Sequence, residues 1–293
     1  MIEIKSILAA TDFSVDSRHA VERAALLCAS TDLVRGAALH VLESSWFESL
    51  KILVSGKSNW EAPILADASQ SLGELVSVVE ERTGYPLEPQ VRVGHVLDAI
   101  LDVSSDFDLI AVGAHGTHPL RDWTIGSTAQ RLLRRTKKPI LVVKRRPAAA
   151  YRRVLVAVDF SPYSRDAVYF ADALAPQGEL LLAHAFDVFF EDNMRHAGVD
   201  EEVISEYRVN ARNEAEDKMR RFVQSLNCKE RPIHWLIERG RHAATILRDK
   251  VHEIGADLVV VGKHGVSIAE DFLLGSVTLH LLAECDCDVL ATQ

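Results

Sequence analysis

The chain has 293 residues, of which 48% are hydrophobic and 26% are charged, and its formal net charge is -9. This apolar fraction excludes wholesale disorder, and the acidic balance argues against binding nucleic acid or an anionic membrane by bulk charge. The sequence contains no apolar run of membrane-spanning length, no signal-peptide pattern at its start and no Cys-x2-Cys pair. We therefore expect a cytoplasmic protein with two domains.

Short apolar runs alternate with helical patterns along the first half of the chain. Residues 4–10 predict a strand, and Ser14 or Asp16 can cap the helix that follows it. The remaining pattern predicts strands at 37–42, 90–93, 109–112 and 140–143, and helices at 65–79, 96–103 and 127–135. Continuous apolar strands that alternate with helices predict an α/β fold, in which helices cover both faces of a parallel sheet.

The second half of the chain repeats the first. The segment SILAATDFS at residues 6–14 returns as RVLVAVDFS at 153–161, and DLIAVGAHG at 108–116 returns as DLVVVGKHG at 257–265. The matching segments lie 147 and 149 residues apart. A repeat of this length indicates a duplicated domain and not a solenoid of short units. We expect two tandem, doubly wound, Rossmann-like domains at 1–146 and 151–293, joined by a basic, proline-containing linker.

A glycine-rich turn after the fourth strand of each copy is the strongest functional signal. The pattern Gly-x2-Gly-x9-Gly-Ser occurs at Gly113, Gly116, Gly126, Ser127 and Thr128, and again at Gly262, Gly265, Gly275, Ser276 and Val277. Glycine permits positive φ and close backbone approach, and a helix that begins at the serine offers free N–H groups to a phosphate. Two copies with equal spacing predict a phosphate site in each half.

These residues resemble the universal stress protein family in its tandem two-domain form, and the resemblance covers essentially the whole chain. It rests on the glycine pattern, on the aspartate that ends the first strand, and on residues 94–100 and 240–246, which look like the family's third-strand turn. The resemblance implies five-stranded parallel sheets of order 3-2-1-4-5 and, in the ATP-binding branch, an adenine nucleotide at the glycine loop.

The resemblance also implies a role for individual positions. Asp12 and Asp159 would lie beside the nucleoside, and the three glycines and the following serine of each copy would hold the phosphates. Four further residues would border the adenine, namely Thr11, Val41, Val158 and Ala185. The loop interiors differ, because the second contains the acids Glu270 and Asp271, and we therefore expect the two halves to bind with unequal affinity.

The preferred function is an adenine-nucleotide-binding regulator or sensor of stress, with ATP, ADP or AMP as ligand and Mg²⁺ as its companion. No positioned general base stands out in the sequence, so at most slow ATP hydrolysis is expected, with Asp12 or Asp159 assisting. Two alternatives stay open, namely a nucleotide-free scaffold for a protein partner and a protein that phosphorylates itself at Ser127 or Ser276.

Three smaller questions also stay open. His115 and His264, at matching loop positions, either contact phosphate or are ordinary turn residues, and the two aspartates either bind ligand or only cap helices. A zinc site at Cys285, Cys287 and His280 is disfavoured by its spacing.

The last strand of each half would leave an apolar sheet edge open. We expect the strands at 140–143 and 288–291 to pair along these edges, so that the halves form an intramolecular pseudo-dimer. The sequence is also compatible with a homodimer of the whole chain.

Overall fold

A computed structural model describes residues 4–45, 48, 61–116, 125–188, 190–226, 232–264 and 274–293. Gly265 and the loop interiors at 117–124 and 266–273 therefore lie outside the described residues. By its contacts the chain divides into a first unit, built from residues 3–150 and 286–291, and a second unit, built from 1–2, 151–285 and 292–293. Each unit thus consists mainly of one repeat, while the domain limits 1–146 and 151–293 stay a prediction.

The first unit is a parallel sheet whose strands are joined by helices. Its strands are β1 (Ser6–Thr11), β2 (Arg35–Glu43), β3 (Glu88–Gly94), β4 (Leu109–Gly113) and β5 (Ile140–Val143). Its helices are α1 (Val15–Ser30), α2 (Glu61–Thr83), α3 (Val96–Ser104) and α4 (Ser127–Arg135). The strand order β3-β2-β1-β4-β5 confirms the expected topology, and the order reverses between β1 and β4. Ligands bind at such reversals in open α/β sheets.

The second unit repeats this arrangement with four parallel strands. They are β6 (Arg153–Ala157), β7 (Glu179–Phe186), β8 (His234–Arg239) and β9 (Leu258–Gly262), in the order β8-β7-β6-β9. The helices are α5 (Pro162–Leu174), α6 (Glu191–His196), α7 (Glu201–Gln224), α8 (Ala243–Ile254) and α9 (Ser276–Glu284). Within the described part of the chain, no helix has both the length and the apolar character needed to cross a bilayer.

The last strand, β10 (Asp288–Thr292), extends the sheet of the first unit. It runs antiparallel to β5, with Val289 opposite Val142 and Leu290 opposite Leu141. The strand pairing expected from the two apolar edges is therefore present. The pseudo-dimeric arrangement of the two halves stays a prediction.

A buried ion pair holds the start of β10 in the first unit. Arg23 Nε of α1 donates to Asp288 Oδ2 at 3.1 Å, and the two side chains are only 7% and 2% exposed. The second carboxylate oxygen accepts the backbone N–H of Lys144 at 2.9 Å, and Arg23 Nη1 donates to the carbonyl of Ala149 at 2.7 Å. Several hydrogen bonds therefore compensate the cost of removing these charges from water.

A second network of charges surrounds Glu191, whose side chain is 7% exposed at the start of α6. Its Oε1 accepts from Arg208 at 2.5 Å and from Arg195 at 3.2 Å, and its Oε2 accepts from Arg239 at 2.5 Å. The hydrogen bond from Arg208, followed by the charge of Arg239, lowers the pKa of Glu191 from 4.5 to about 2, although burial opposes the shift.

This pKa predicts how acid destabilises the second unit. Glu191 takes up a proton at higher pH in the unfolded chain than in the folded one, so its contribution is complete above about pH 4.5 and disappears as pH falls to about 2. We expect Glu191→Gln to lower the stability at pH 7 and to flatten its fall across that interval, measured by urea unfolding at each pH. Glu214→Gln is the control, because that exposed side chain pairs only with exposed Lys218 among the ion pairs described. An unchanged pH dependence in Glu191→Gln would contradict the prediction.

Candidate functional site

The candidate site in the first unit begins where β1 ends. Phe13 has a φ of 62°, a left-handed conformation that costs a non-glycine residue about 1–2 kcal/mol. The turn places Ser14 at the N-cap of α1, where its side chain accepts the N–H of Ser17, so Ser14 and not Asp16 caps the helix. The N–H of Ser14 in turn donates to Asp12 Oδ1 at 3.1 Å. The turn therefore fixes the carboxylate of Asp12 at the end of β1.

The glycines of the first loop are needed for close packing. A Cβ on Gly113 would lie 2.5 Å from backbone atoms of Asp16 and Ser17, and one on Gly116 would lie 2.8 Å from Asp12 Oδ2. Of the two properties that glycine offers, positive φ is not used by the described motif glycines, since the described glycines with positive φ are Gly84, Gly198 and Gly255. Neighbouring atoms leave little room for a side chain at positions 113 and 116, and this close packing, not the backbone conformation, explains the glycines there.

A cavity of about 250 Å³ opens at the carboxyl ends of β1 and β4. All of the site residues predicted for the first repeat line it, namely Thr11, Asp12, Val41, Gly113, Gly116, Gly126, Ser127 and Thr128. The cavity is also lined by His115, whose role the sequence left open, and by residues that the sequence analysis missed, namely Ala10, Ser17, Leu39, Val96, Ile100, Val112 and Ala129. Most of these are apolar, so the cavity combines an apolar wall with a polar glycine loop.

One end of this cavity is the N-terminus of α4. Gly126 is the N-cap and makes no side-chain capping hydrogen bond, and the first turn of the helix contains no acidic residue. The side chains of Ser127 and Thr128 are exposed there. The unneutralised helix dipole and its N–H groups favour an anion at this end.

Asp16 and His115 form a pair that only the structure brings together. Asp16 Oδ2 accepts both the backbone N–H of His115 at 3.1 Å and its ring Nδ1–H at 2.9 Å. The two residues are 99 positions apart, and Asp16 is in the first turn of α1. The pair fastens the glycine loop to α1 and fixes the orientation of an imidazole that lines the cavity. The sequence signal was the histidine repeated at both loops.

The predicted residues of the second repeat occupy corresponding places. Val158 and Asp159 follow β6, Ala185 lies in β7, Gly262 ends β9, and Gly275, Ser276 and Val277 begin α9, with Gly275 as its N-cap. Asp159 Oδ1 accepts the N–H of Ser161 at 3.0 Å and the hydroxyl of Ser164 at 2.5 Å. Here the aspartate supports the start of α5, whose N-cap is Ser161, in line with the helix-capping alternative.

The second glycine loop also differs in its chemistry. Lys263, which stands where the first repeat has Ala114, is 1% exposed, and burial lowers its pKa to about 7. Tyr163 takes the position of Asp16, and its ring contacts that of His264 edge to face, with 5.7 Å between centroids. His264 is buried, and its Nδ1 has no hydrogen-bond partner among the described residues. The carboxylate–imidazole pair of the first loop is therefore replaced by an aromatic contact.

Both repeats share a histidine that supports the turn after their first strand. His40 Nδ1 lies 2.8 Å from the carbonyl oxygen of Thr11, and its ring is 4.3 Å from that of Phe13. In the second repeat, His184 makes the same contacts with the carbonyl of Val158 and the ring of Phe160. These histidines immediately precede Val41 and Ala185, so they connect the two positions predicted to border an adenine to the aspartate turns.

The residues of the zinc hypothesis have other surroundings. Cys285 and Cys287 are buried, and His280 Nε2 lies 3.3 Å from a carboxylate oxygen of Glu284. Across the described residues, no cluster of three or more histidine, cysteine or acidic side chains is arranged to hold a metal ion.

Comparison with known sequences identifies the family. The sequence profile of the universal stress protein family matches residues 3–144 and again residues 150–293. The chain belongs to the universal stress protein family. Because the profile matches twice, this universal stress protein is a tandem of two family domains, as the sequence resemblance implied.

Individual relatives agree with this assignment. A universal stress protein of Mycolicibacterium smegmatis is 25% identical over 225 residues, which cover 73% of this chain and 71% of that protein. A universal stress protein of Synechocystis is 36% identical over 97 residues, so this chain matches only 32% of that relative's length. A universal stress protein from Archaeoglobus fulgidus has the same fold, with a TM-score of 0.68 at 21% identity, over 100% of this chain and 99% of that one.

Proposed function

We propose that the first repeat of this universal stress protein binds an adenine nucleotide and that the protein acts as a regulator or sensor in the stress response. One observation carries the proposal. The positions that the family resemblance assigns to a nucleotide come from the end of β1, from β2, from the end of β4 and from the start of α4, and all of them line one cavity. A site at the carboxyl ends of parallel strands, where strand order reverses, is also where this class of sheet binds ligands.

The chemistry of the cavity suits the three parts of a nucleotide. Val41, Val96 and Ile100 offer an apolar wall to the adenine. The carboxylate of Asp12 can accept hydrogen bonds from ribose hydroxyls, which a carboxylate acceptor recognises well. The first turn of α4, which begins at Ser127, offers backbone N–H groups that no side chain caps, and Ser127 adds a hydroxyl for the phosphates. No described cluster supplies a protein-built site for Mg²⁺, so a metal ion would be brought by the phosphates.

For the second repeat we propose weaker binding. Asp159 is already hydrogen-bonded to two serines at the start of α5, and Ala185 offers the base a smaller contact than Val41 does. The sequence of the second loop contains the acids Glu270 and Asp271, and their negative charge disfavours a phosphate ligand.

The direct experiment is mass spectrometry of the small molecules released when the purified protein is denatured. We expect AMP, ADP or ATP, and a rise in the melting temperature of the emptied protein on adding ATP, with and without Mg²⁺. No nucleotide and no thermal shift would favour the protein-interaction scaffold. A phosphopeptide containing Ser127 or Ser276 after incubation with labelled ATP would favour the autophosphorylating protein.

Replacing Gly116 by valine tests the glycine loop. The φ of Gly116 is not positive, and its Cβ would meet only the Asp12 carboxylate, so the fold should survive while the new side chain fills the space beside the ribose position. We expect at least a tenfold loss of affinity at the first site, about 1.4 kcal/mol or more, by isothermal titration calorimetry.

Two variants complete that test. Gly73→Ala is the control, because a Cβ there has no atom within 4 Å and binding should stay as in the parent. Gly265→Val, the matching change in the second repeat, should leave the tighter site intact. Parental affinity in Gly116→Val and in the double variant would refute the assignment of the loop.

A further inference from the structure

The Asp16–His115 pair has the geometry of a general base held by a carboxylate. An ionised carboxylate can only accept hydrogen bonds, so the contact of Asp16 Oδ2 with His115 Nδ1 places the ring proton on Nδ1. In the neutral ring, Nε2 then carries the lone pair. His115 lines the cavity and its side chain is 45% exposed, so water can reach the ring.

We propose that His115 is the general base of a slow ATP-hydrolysing activity in the first repeat and that Asp16 is its positioning residue. The proposal rests on nucleotide binding in the cavity. His115 Nε2 takes a proton from a water molecule whose oxygen bonds to the terminal phosphorus of ATP. The bond between that phosphorus and the bridging oxygen breaks, and its electron pair stays on ADP. Inorganic phosphate leaves, and the imidazolium returns its proton to solvent.

Asp16 contributes in two ways. It stabilises the imidazolium that forms when His115 accepts the proton, and it keeps the ring in the tautomer whose Nε2 is basic. Its two hydrogen bonds to His115, one to the backbone and one to the ring, also restrict the ring's movement. A free imidazole in a loop would lack this preorganisation.

The second repeat keeps the histidine but has no carboxylate at the position of Asp16. Tyr163 stands at the position of Asp16 and packs its ring against His264, whose Nδ1 has no hydrogen-bond acceptor among the described residues. His264 is 7% exposed, so solvent scarcely reaches its ring. The proposal therefore assigns hydrolysis to the first repeat alone.

The tautomer can be tested without any nucleotide. In the full chain with ¹⁵N-labelled histidine, we expect NMR to show His115 protonated on Nδ1 and unprotonated on Nε2 at a pH where the ring is neutral. Asp16→Asn should shift the population toward the Nε2–H form. An Nε2–H tautomer in the parent protein, or no change in Asp16→Asn, would overturn the proposal.

The activity test separates catalysis from binding. Calorimetry gives the Kd of MgATP, and release of inorganic phosphate gives kcat. We expect His115→Ala to lower kcat by about 100-fold or more while Kd changes less than twofold, and added imidazole to restore part of the rate. Asp16→Asn should lower kcat in the same direction. His95→Ala is the matched control, because His95 also contacts a carboxylate, Glu43, at 2.9 Å but does not line the cavity.

The outcomes distinguish the two proposals. If no adenine nucleotide binds to the parent protein, the proposed function fails, and hydrolysis fails with it. If AMP or ADP binds but MgATP does not, the proposed function stands and hydrolysis is refuted. If MgATP binds but His115→Ala releases phosphate as fast as the parent, binding stands and the general base is refuted. If His115→Ala loses affinity as much as rate, the pair only fastens the loop, which also refutes the proposal.

Discussion

Replacing Gly113 by alanine is expected to destabilise the first unit by about 3 kcal/mol, because overpacking by one methyl group has no direction in which to relax. The added Cβ would lie 2.5 Å from the backbone carbon of Asp16 and from the backbone nitrogen of Ser17. These atoms belong to the first turn of α1, so the helix itself would have to move away from β4. Urea unfolding followed by circular dichroism measures the loss, and nucleotide affinity should fall with it.

Gly73→Ala provides the comparison for this change. Gly73 lies within α2, and a Cβ there has no atom within 4 Å, so alanine should stabilise the helix by up to about 1 kcal/mol. The two substitutions add the same methyl group in opposite surroundings. Equal stability of Gly113→Ala and the parent protein would show that the contact of Gly113 with α1 is not a tight one.

Replacing Arg23 by methionine should cost the first unit about 3–5 kcal/mol, because it removes the guanidinium that pairs with the buried carboxylate of Asp288. The methionine fills much of the volume of the arginine stem, so the loss reports mainly on charge. Thermal unfolding of the full chain, with hydrogen exchange to locate the opening at β5 and β10, is the measurement. Exchange should increase first at β10, where Asp288 begins the strand.

Arg145→Met is the matched control for the buried pair. Arg145 pairs with Asp286 at 3.4 Å in the same unit, but these side chains are 65% and 61% exposed, so the pair contributes about 0–1 kcal/mol. The double change Arg23→Met with Asp288→Leu should recover much of the loss, since two apolar groups can replace a buried ion pair. If Arg23→Met costs no more than Arg145→Met, the pair does not hold β10.

The site could be predicted in part because each motif is a local pattern with a physical cause. Asp12 follows an apolar strand, and Gly126 and Ser127 precede a helix, so both positions fall at the carboxyl edge of any parallel sheet. The apolar wall from α3 was missed, because Val96 and Ile100 show only that one helix face is buried. The helix periodicity does not say which strand or cavity that face meets.

The sequence also left open which physical reason requires glycine in the first loop. Sequence shows that a side chain is absent at Gly113 and Gly116, but both positive φ and close approach explain such an absence. The choice depends on where α1 and the turn at Asp12 lie, and these segments are about a hundred residues away in the chain. Only the packed structure shows the Cβ positions occupied by Asp16, Ser17 and Asp12 atoms.

The sequence by itself determined the α/β class and the duplication, because periodicity and repetition are properties of neighbouring residues and of the chain's own copies. The strand order was implied only by the family resemblance. The tertiary structure decided which distant groups meet. Asp16 contacts His115, which is 99 residues away in the sequence, and Arg23 contacts Asp288, which is 265 residues away. Strand β10 pairs with β5 and so belongs to the sheet of the first unit. Such pairs form because the folded chain packs distant segments together and because a buried charge or an open sheet edge is costly. Both effects depend on which segments are buried, and local sequence patterns do not specify this.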